Sequence, residues 1–258
     1  MIESSRRKRP SEEAESYFVS MTDMMVGLLF IFIIMLVYFA IDYQEMTAEL
    51  SESQLEYQET VAALSSAQST RTALLQALEQ TLRERGVQVT IDTQTGVLRL
   101  PEEVLFAKGA WELAPTNLQK IETVAATMAE ILPCYTYGAS CAPQNRARHR
   151  VDAIFIEGHT DSDPMRGQMD NYDLSMRRAV NTFRALRVSA PLLETLRNGP
   201  DAEAQSILGV SGYGPDRPID IGDTEDAKSR NRRIDLRFLM QTPGGNPENP
   251  SSLLEDLP

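Results

Sequence analysis

Residues 24–41 read MMVGLLFIFIIMLVYFAI, a run without a charge in which nearly every side chain is bulky and apolar. A helix of that length rises roughly 27 Å, close to the hydrocarbon thickness of a bilayer. The run predicts a transmembrane helix, which we place at residues 17–42. A cleaved signal peptide competes with that reading, but it would end in small residues, and Tyr38 to Glu45 offers bulky and acidic ones. Arg6, Arg7, Lys8 and Arg9 precede the run, whereas Asp42, Glu45 and Glu49 follow it. A basic flank is retained in the cytoplasm. Residues 1–16 are thus expected to form a cytoplasmic basic tail of a single-pass inner-membrane protein, with everything after residue 42 in the periplasm.

Asp23 stands at the margin of this run. A carboxylate placed centrally in a membrane helix costs about 2.5–3.5 kcal/mol on insertion scales, so such a charge points to function. Steps of three and four residues from Asp23 reach Ser20 and Ser16 on one side and Gly27 on the other. This stripe of small and polar groups is predicted to face protein, and Gly27 allows a neighbouring helix to approach closely. Inside a protein pocket the carboxylate can alternate between protonated and charged forms, which makes Asp23 the candidate for ion translocation. The alternative is a charge at the headgroup boundary, favoured there by the helix dipole.

Composition narrows the partners. The chain has 258 residues and a formal net charge of −12. An acidic surface of this kind argues against direct nucleic-acid binding or adhesion to anionic lipid, both of which need a basic patch. Residues 43–86 have no proline or glycine before Gly86 and are rich in Glu, Gln, Ala and Leu, which predicts a helical periplasmic linker. Leu50, Tyr57 and Leu64 recur every seven residues, Val61 joins their face, and Leu75, Leu78 and Leu82 follow after Arg71. That pattern fits a short coiled coil, and a solvated spacer remains open beside it.

From residue 87 the periodicity changes. Val87, Val89 and Ile91 alternate with polar residues, Thr95 and Gly96 make a turn, and Val97 to Leu100 return as a strand. Helices are predicted over Asn117 to Leu132 and Leu174 to Leu196. Strands are predicted over Val151 to Glu157, Ile207 to Val210 and Ile234 to Leu239. The fold class is α/β: an N-terminal membrane helix, a helical linker and an α/β sandwich over residues 87–240. The tail, 241–258, is rich in Pro, Gly, Asn and Ser and is expected to be disordered.

Within that sandwich stand Gly158, His159, Thr160 and Asp161, then Asn171, Leu174, Ser175, Arg178 and Ala179, then Gly212, Gly214 and Pro218, then Asn231, Arg232 and Arg233. Phe106 and Gly109 form an earlier element of the same series. These residues resemble the OmpA-like peptidoglycan-binding domain, in the family's order, over about residues 87–240. The resemblance implies that Asp161 receives the ammonium of the wall's diaminopimelate and Arg178 its carboxylate, with Asn171, Leu174 and Arg233 shaping the pocket. Two departures stand out: the stretch from Asp161 to Asn171 carries extra residues, including Asp163 and Pro164, and Asp170 occupies a position where the family usually has Tyr.

The chemistry is sensible on its own terms. A zwitterion is well held by one carboxylate and one guanidinium, the latter able to make two parallel bonds. Asp161 could instead cap a turn and Arg178 form a surface ion pair. Asp161, Asp163, Asp170 and Asp173 could form a calcium site, although their spacing is not that of a compact loop. Gly212, Tyr213 and Gly214 lack the third glycine and following helix of a phosphate loop. His149 and His159 have no partners at ligand spacing, so no metal or cofactor is expected. Cys134 and Cys141 fit a disulfide in an oxidising compartment, with two inert thiols as the alternative.

A membrane carboxylate joined to a wall-binding domain resembles the MotB class of ion-driven stator subunits, related to ExbD and TolR. Within that class, the run Ser20 to Phe30 is most similar to the ZorB group of the Zorya anti-phage defence system. Flagellar members usually carry an aromatic residue just after the aspartate and a Trp and Ala-Tyr-Ala stretch before it, both absent here. The resemblance implies a non-enzymatic protein: a dimer inside a ring of ZorA-like (MotA-like) multi-helix subunits, with Asp23 relaying protons or sodium ions and the far end bound to peptidoglycan. A flagellar stator and a passive tether of the Pal or OmpA kind are the alternatives.

Overall fold

The structure, a computed structural model, describes residues 10–107, 109–165 and 169–242, with side chains from Tyr17 onward. Residues 1–9 of the expected basic tail, the Ser16 side chain and residues 243–258 of the expected disordered tail lie outside them. The chain divides into two compact units, Met1–Glu59 and Thr60–Pro258.

Among its described residues the first unit consists of one element, the beginning of helix α1 (Pro10–Glu84). Proline is tolerated at its first turn because the missing N–H would have had no partner there. The apolar side chains from Met24 to Ile41 are each between 46% and 71% exposed. A helix in the core of a soluble protein would bury such residues. This one has the length and composition of a membrane span and offers its apolar surface outward all round.

The second unit starts earlier than the sequence suggests. Ala67, Leu74, Leu75, Leu78 and Leu82 of α1 are at most 5% exposed and belong to the domain's hydrophobic core. The compact unit that holds the sheet thus includes the part of α1 from Thr60, within the residues 43–86 expected as a linker. The leucines assigned to a coiled-coil seam after Arg71 pack within their own domain, while Leu50, Tyr57, Val61 and Leu64 stay exposed. Gln68 Nε2 donates to the Thr93 carbonyl at 3.0 Å and Arg71 Nη2 to that of Gln94 at 2.9 Å, fixing α1 to the first hairpin.

That hairpin comprises β1 (Thr90–Asp92) and β2 (Val97–Pro101). Asp92 Oδ1 accepts from the Gln94 and Thr95 amides, and Gly96 closes the turn at φ +75°, where a side chain would be strained. A short helix α2 (Glu102–Leu105) follows, then α3 (Leu118–Ile131), β3 (Val151–His159), α4 (Asn171–Ser189), β4 (Leu208–Gly212), α5 (Glu225–Asn231) and β5 (Arg233–Met240). The five-stranded sheet has the order β1-β2-β5-β3-β4, with β3 and β4 parallel and the other pairs antiparallel.

Strand alternation assigns the two faces. Leu98, Leu100, Ile154, Ile156, Ile234, Leu236 and Phe238 join the core together with Val124 and Met128 of α3 and Ala179 and Leu186 of α4. The other face carries Arg99, Glu157, His159, Arg233, Asp235 and Arg237, in which Asp235 pairs with Arg99 and Arg233, and Glu157 with Arg237. Two glycines let α4 lie close against the sheet. A Cβ at Gly158 would stand 2.0 Å from the Ser175 carbonyl oxygen, and one at Gly212 would stand 2.6 Å from the Met176 nitrogen. Between α3 and β3, Cys134 and Cys141 are disulfide-bonded with Cα atoms 5.1 Å apart, and Arg150 Nη1 donates to the Cys134 carbonyl at 2.9 Å.

Candidate functional site

A small cavity of about 120 Å³ opens where the C-terminal end of β3 meets the start of α4. Thr160, Asp161, Asp163, Asn171, Leu174 and Arg178 line it, joined by Glu102, Gly109 and Arg232 from elsewhere in the chain. Four of the five residues expected to bind the wall, Asp161, Asn171, Leu174 and Arg178, thus meet at one place.

Local chemistry places each of them. Asp170 caps α4, its carboxylate accepting from the Asp173 amide at 2.8 Å while Asp173 reaches back to the Asp170 amide. The residue that departs from the family pattern at 170 is therefore a helix start. Asn171 Nδ2 donates to the carbonyls of Asp161 and Asp163, at 3.3 and 2.9 Å, and holds the loop against the helix. Ser175 Oγ accepts from the Gly214 amide at 2.9 Å, and the Thr160 amide donates to the Gly214 carbonyl at 3.0 Å. Gly214 so stitches the loop after β4 to both the end of β3 and α4. Leu174, 3% exposed, supplies the apolar wall.

Arg178 is 1% exposed. Its Nε donates to the Ala110 carbonyl at 2.7 Å, its Nη2 bonds Glu102 Oε1, and its guanidinium lies 5.3 Å from the centre of the Phe106 ring. Burial draws its pKa down, and Glu102 works in the opposite direction. Arg232 bonds Asp161 Oδ2 at 2.7 Å, Glu102 Oε2 at 2.6 Å and Glu225 Oε1 at 2.8 Å. Burial works against its charge too, but Asp161, Glu225 and Glu102 outweigh that and hold it above the ordinary arginine value. The hydroxyl of Thr160, 3% exposed, has no hydrogen-bond partner.

Arg233 requires a correction, because its side chain is not part of this cavity. It lies on the opposite face of the sheet, bonded to Asp235 and to the Arg217 carbonyl. Ile234, Leu236 and Phe238 face the helices, so Arg233 and Asp235 must face away and Arg232 shares the helix side. Period-two counting back from these apolar residues would have selected Arg232 from sequence. Glu102 was also missed, and Thr160, named within the motif, was given no role in the pocket. Glu102 lies 76 positions from Arg178, beyond the reach of any local pattern.

The calcium alternative does not assemble. Asp161 is held by Arg232, Asp163 pairs with Lys228 at 2.8 Å, and Asp170 and Asp173 cap the helix. Among the described residues, Glu157, His159 and Asp235 do bring ligand atoms within 4.8 Å of one another. Arg99, Arg233 and Arg237 already hold those carboxylates, so a cation would meet positive charge on several sides. Burial pushes the Glu157 carboxyl up, but His159 and Arg237 prevail and hold it at about 2. Burial pushes His159 down.

Asp23 lies among Phe18, Val19, Thr22 and Val26 on the surface of α1. Thr22 Oγ1 donates back to the Phe18 carbonyl at 2.7 Å, and a Cβ added at Gly27 would meet nothing within 4 Å. The face around the carboxylate is open.

No protein-family model matches the chain. Motility protein B of Bacillus subtilis is 32% identical over 88 residues, which are 33% of this chain and 30% of that protein. A probable lipoprotein of Escherichia coli, YiaD, is 26% identical over 159 residues, 62% of this chain and 58% of its own length. The chain thus spans less than two thirds of either relative. Among solved structures, the periplasmic domain of Helicobacter pylori MotB matches with a TM-score of 0.42 at 22% identity, covering 63% of this chain and 87% of that one. A putative MotB-like protein from Desulfovibrio vulgaris gives 0.46 at 24%, covering 71% and 98%.

Proposed function

We propose that this chain is the wall-gripping, ion-relaying subunit of a membrane motor of the MotB-like stator class, serving in anti-phage defence of the Zorya type. The observation that carries the wall-binding part is the cavity in which Asp161, Asn171, Leu174 and Arg178 converge beside the unpartnered Thr160 hydroxyl. A carboxylate and a guanidinium lining one cavity with an apolar wall suit the zwitterionic end of diaminopimelate in peptidoglycan. Similarity to a motility protein B over 88 residues supports the stator class. The run Ser20 to Phe30 supports the Zorya-type assignment within it.

In this reading α1 anchors the chain in the inner membrane with its N-terminus in the cytoplasm, and the sheet domain holds the wall from the periplasm. Two copies sit inside a ring of ZorA-like subunits whose helices cover the open face around Asp23. One charge crossing 100 mV releases about 2.3 kcal/mol, comparable to the cost of placing a carboxylate in the bilayer, so proton or sodium flow can drive the cycle. The wall contact keeps this subunit from turning, and torque acts on the ring. Asp23→Asn removes the charge with little change of shape. It should leave assembly with the ring intact and abolish protection against phage, whereas unchanged protection refutes the relay. Asp161→Asn should release the protein from purified sacculi, and retention at wild-type level refutes the pocket.

The lipoprotein relative, matched over 62% of this chain, favours a second reading as a passive envelope tether. Co-purification with a multi-helix ring subunit separates the two, because a tether has no need of such a partner. A flagellar stator is told apart by whether protection against phage or motility is lost when the chain is deleted.

A further inference from the structure

The two charged groups that would recognise a zwitterion in the cavity, Asp161 and Arg178, are both already bonded to partners within the protein. A guanidinium can grip a carboxylate bidentately through paired N–H groups, yet in Arg178 the Nε is bonded to the Ala110 carbonyl and the Nη2 to Glu102. Asp161 has two oxygens: Oδ2 accepts from Arg232 at 2.7 Å and Oδ1 from the Asp163 amide at 3.2 Å. Glu102 completes the chain, bonding Arg178 through Oε1 and Arg232 through Oε2. Asp161, Arg232, Glu102 and Arg178 thus form an alternating row of two negative and two positive groups, each side chain at most 10% exposed.

We propose that Glu102 and Arg232 are an internal stand-in for the wall peptide, Glu102 holding the place of its carboxylate on Arg178 and Arg232 the place of its ammonium on Asp161. The proposal rests on the wall-binding reading above. Binding is then an exchange. The incoming carboxylate takes Arg178 from Glu102, the incoming ammonium takes Asp161 from Arg232, and the two displaced side chains keep their bond to each other. Arg232 also retains Glu225, whose side chain is 61% exposed at the rim, so the pair can withdraw toward solvent without leaving a buried charge alone. The backbone need not follow, since the Glu102 amide donates to the Arg232 carbonyl at 3.0 Å and ties the two segments together. Glu102 is in this account a determinant of affinity: a competitor whose strength sets how much free energy the wall must supply.

The test has a sign. Glu102→Gln keeps the size of the side chain and removes its charge, so the free state loses its competitor. The full-length protein in detergent micelles should bind a soluble diaminopimelate-containing tripeptide about tenfold more tightly than wild type by calorimetry, the equivalent of one charge-assisted bond. Glu102→Asp, which keeps the charge but is too short to span both guanidinia, should tighten binding by about threefold and serves if the Gln variant does not fold. Weaker or unchanged binding in both folded variants overturns the proposal, because a residue that merely positioned Arg178 would lose affinity when changed. If neither wild type nor either variant binds, and Asp161→Asn leaves retention on sacculi untouched, the wall-binding reading itself fails and the exchange fails with it. Binding that is abolished by Asp161→Asn but not tightened by Glu102→Gln sinks the exchange alone.

Discussion

Gly158→Ala is the sharpest probe of how the fold builds the site. The added methyl would meet the Ser175 carbonyl oxygen at 2.0 Å, its carbon at 2.7 Å and Cα at 3.1 Å, all of them backbone atoms of α4 that no rotamer change can clear. Relieving the closest contact needs a shift of about 1 Å of α4 away from β3, since interiors are packed to crystal density and pass such strain on. Overpacking of this kind costs roughly 1–3 kcal/mol when side chains absorb it and more when backbone must move. We expect about 3 kcal/mol, a fall in Tm on the order of 6–12 °C for a domain of this size. Trp111 is the single tryptophan, its carbonyl accepts from Asn181 Nδ2 of α4 at 2.8 Å, and Arg177 of α4 lies over its ring. Its fluorescence during thermal unfolding therefore reports on the docking of α4, and wall binding should weaken in parallel because Leu174 and Arg178 ride on the same helix. A variant with unchanged Tm would show that α4 is not seated on β3 as described.

Two further outcomes follow from other parts of the fold. Acid should destabilise the domain in two steps: His159 is depressed by burial, so the unfolded chain takes up its proton first as pH falls below about 6.5, and Glu157 adds a second loss between 4.5 and about 2. The Glu157 part is on the order of 3 kcal/mol, and a pH series of denaturant midpoints in which Glu157→Gln leaves the lower step undiminished would contradict it. Leu78→Ala, at a residue 1% exposed within the core, should cost about 2–5 kcal/mol, whereas a leucine in a solvated spacer would cost almost nothing, and chemical unfolding decides between them.

The sequence alone was enough for whatever depends on neighbours along the chain. Eighteen uncharged positions mark the membrane helix wherever the rest of the chain goes. The period-two and period-3.6 patterns located β2, β3 and α3 to within two residues, because burial of one face imposes its own spacing, whereas the helix expected over Leu174 to Leu196 runs from Asn171 to Ser189 and stops ahead of Pro191, which cannot continue it. Gly158, Asp161, Asn171 and Arg178 were legible as a set through their resemblance to the OmpA-like domain, and they lie on a strand end and the first turns of the next helix, which are close in sequence as well as in space. Only the tertiary structure decided that Leu74, Leu75, Leu78 and Leu82 belong to the domain, that Arg232 and not Arg233 turns toward the cavity, and that Glu102 bonds residues 76 and 130 positions away. Such pairings are selected by which elements share a sheet edge and which face a side chain is given. Charge finds its partner through folded space, where a buried carboxylate must be satisfied by whatever guanidinium the topology delivers.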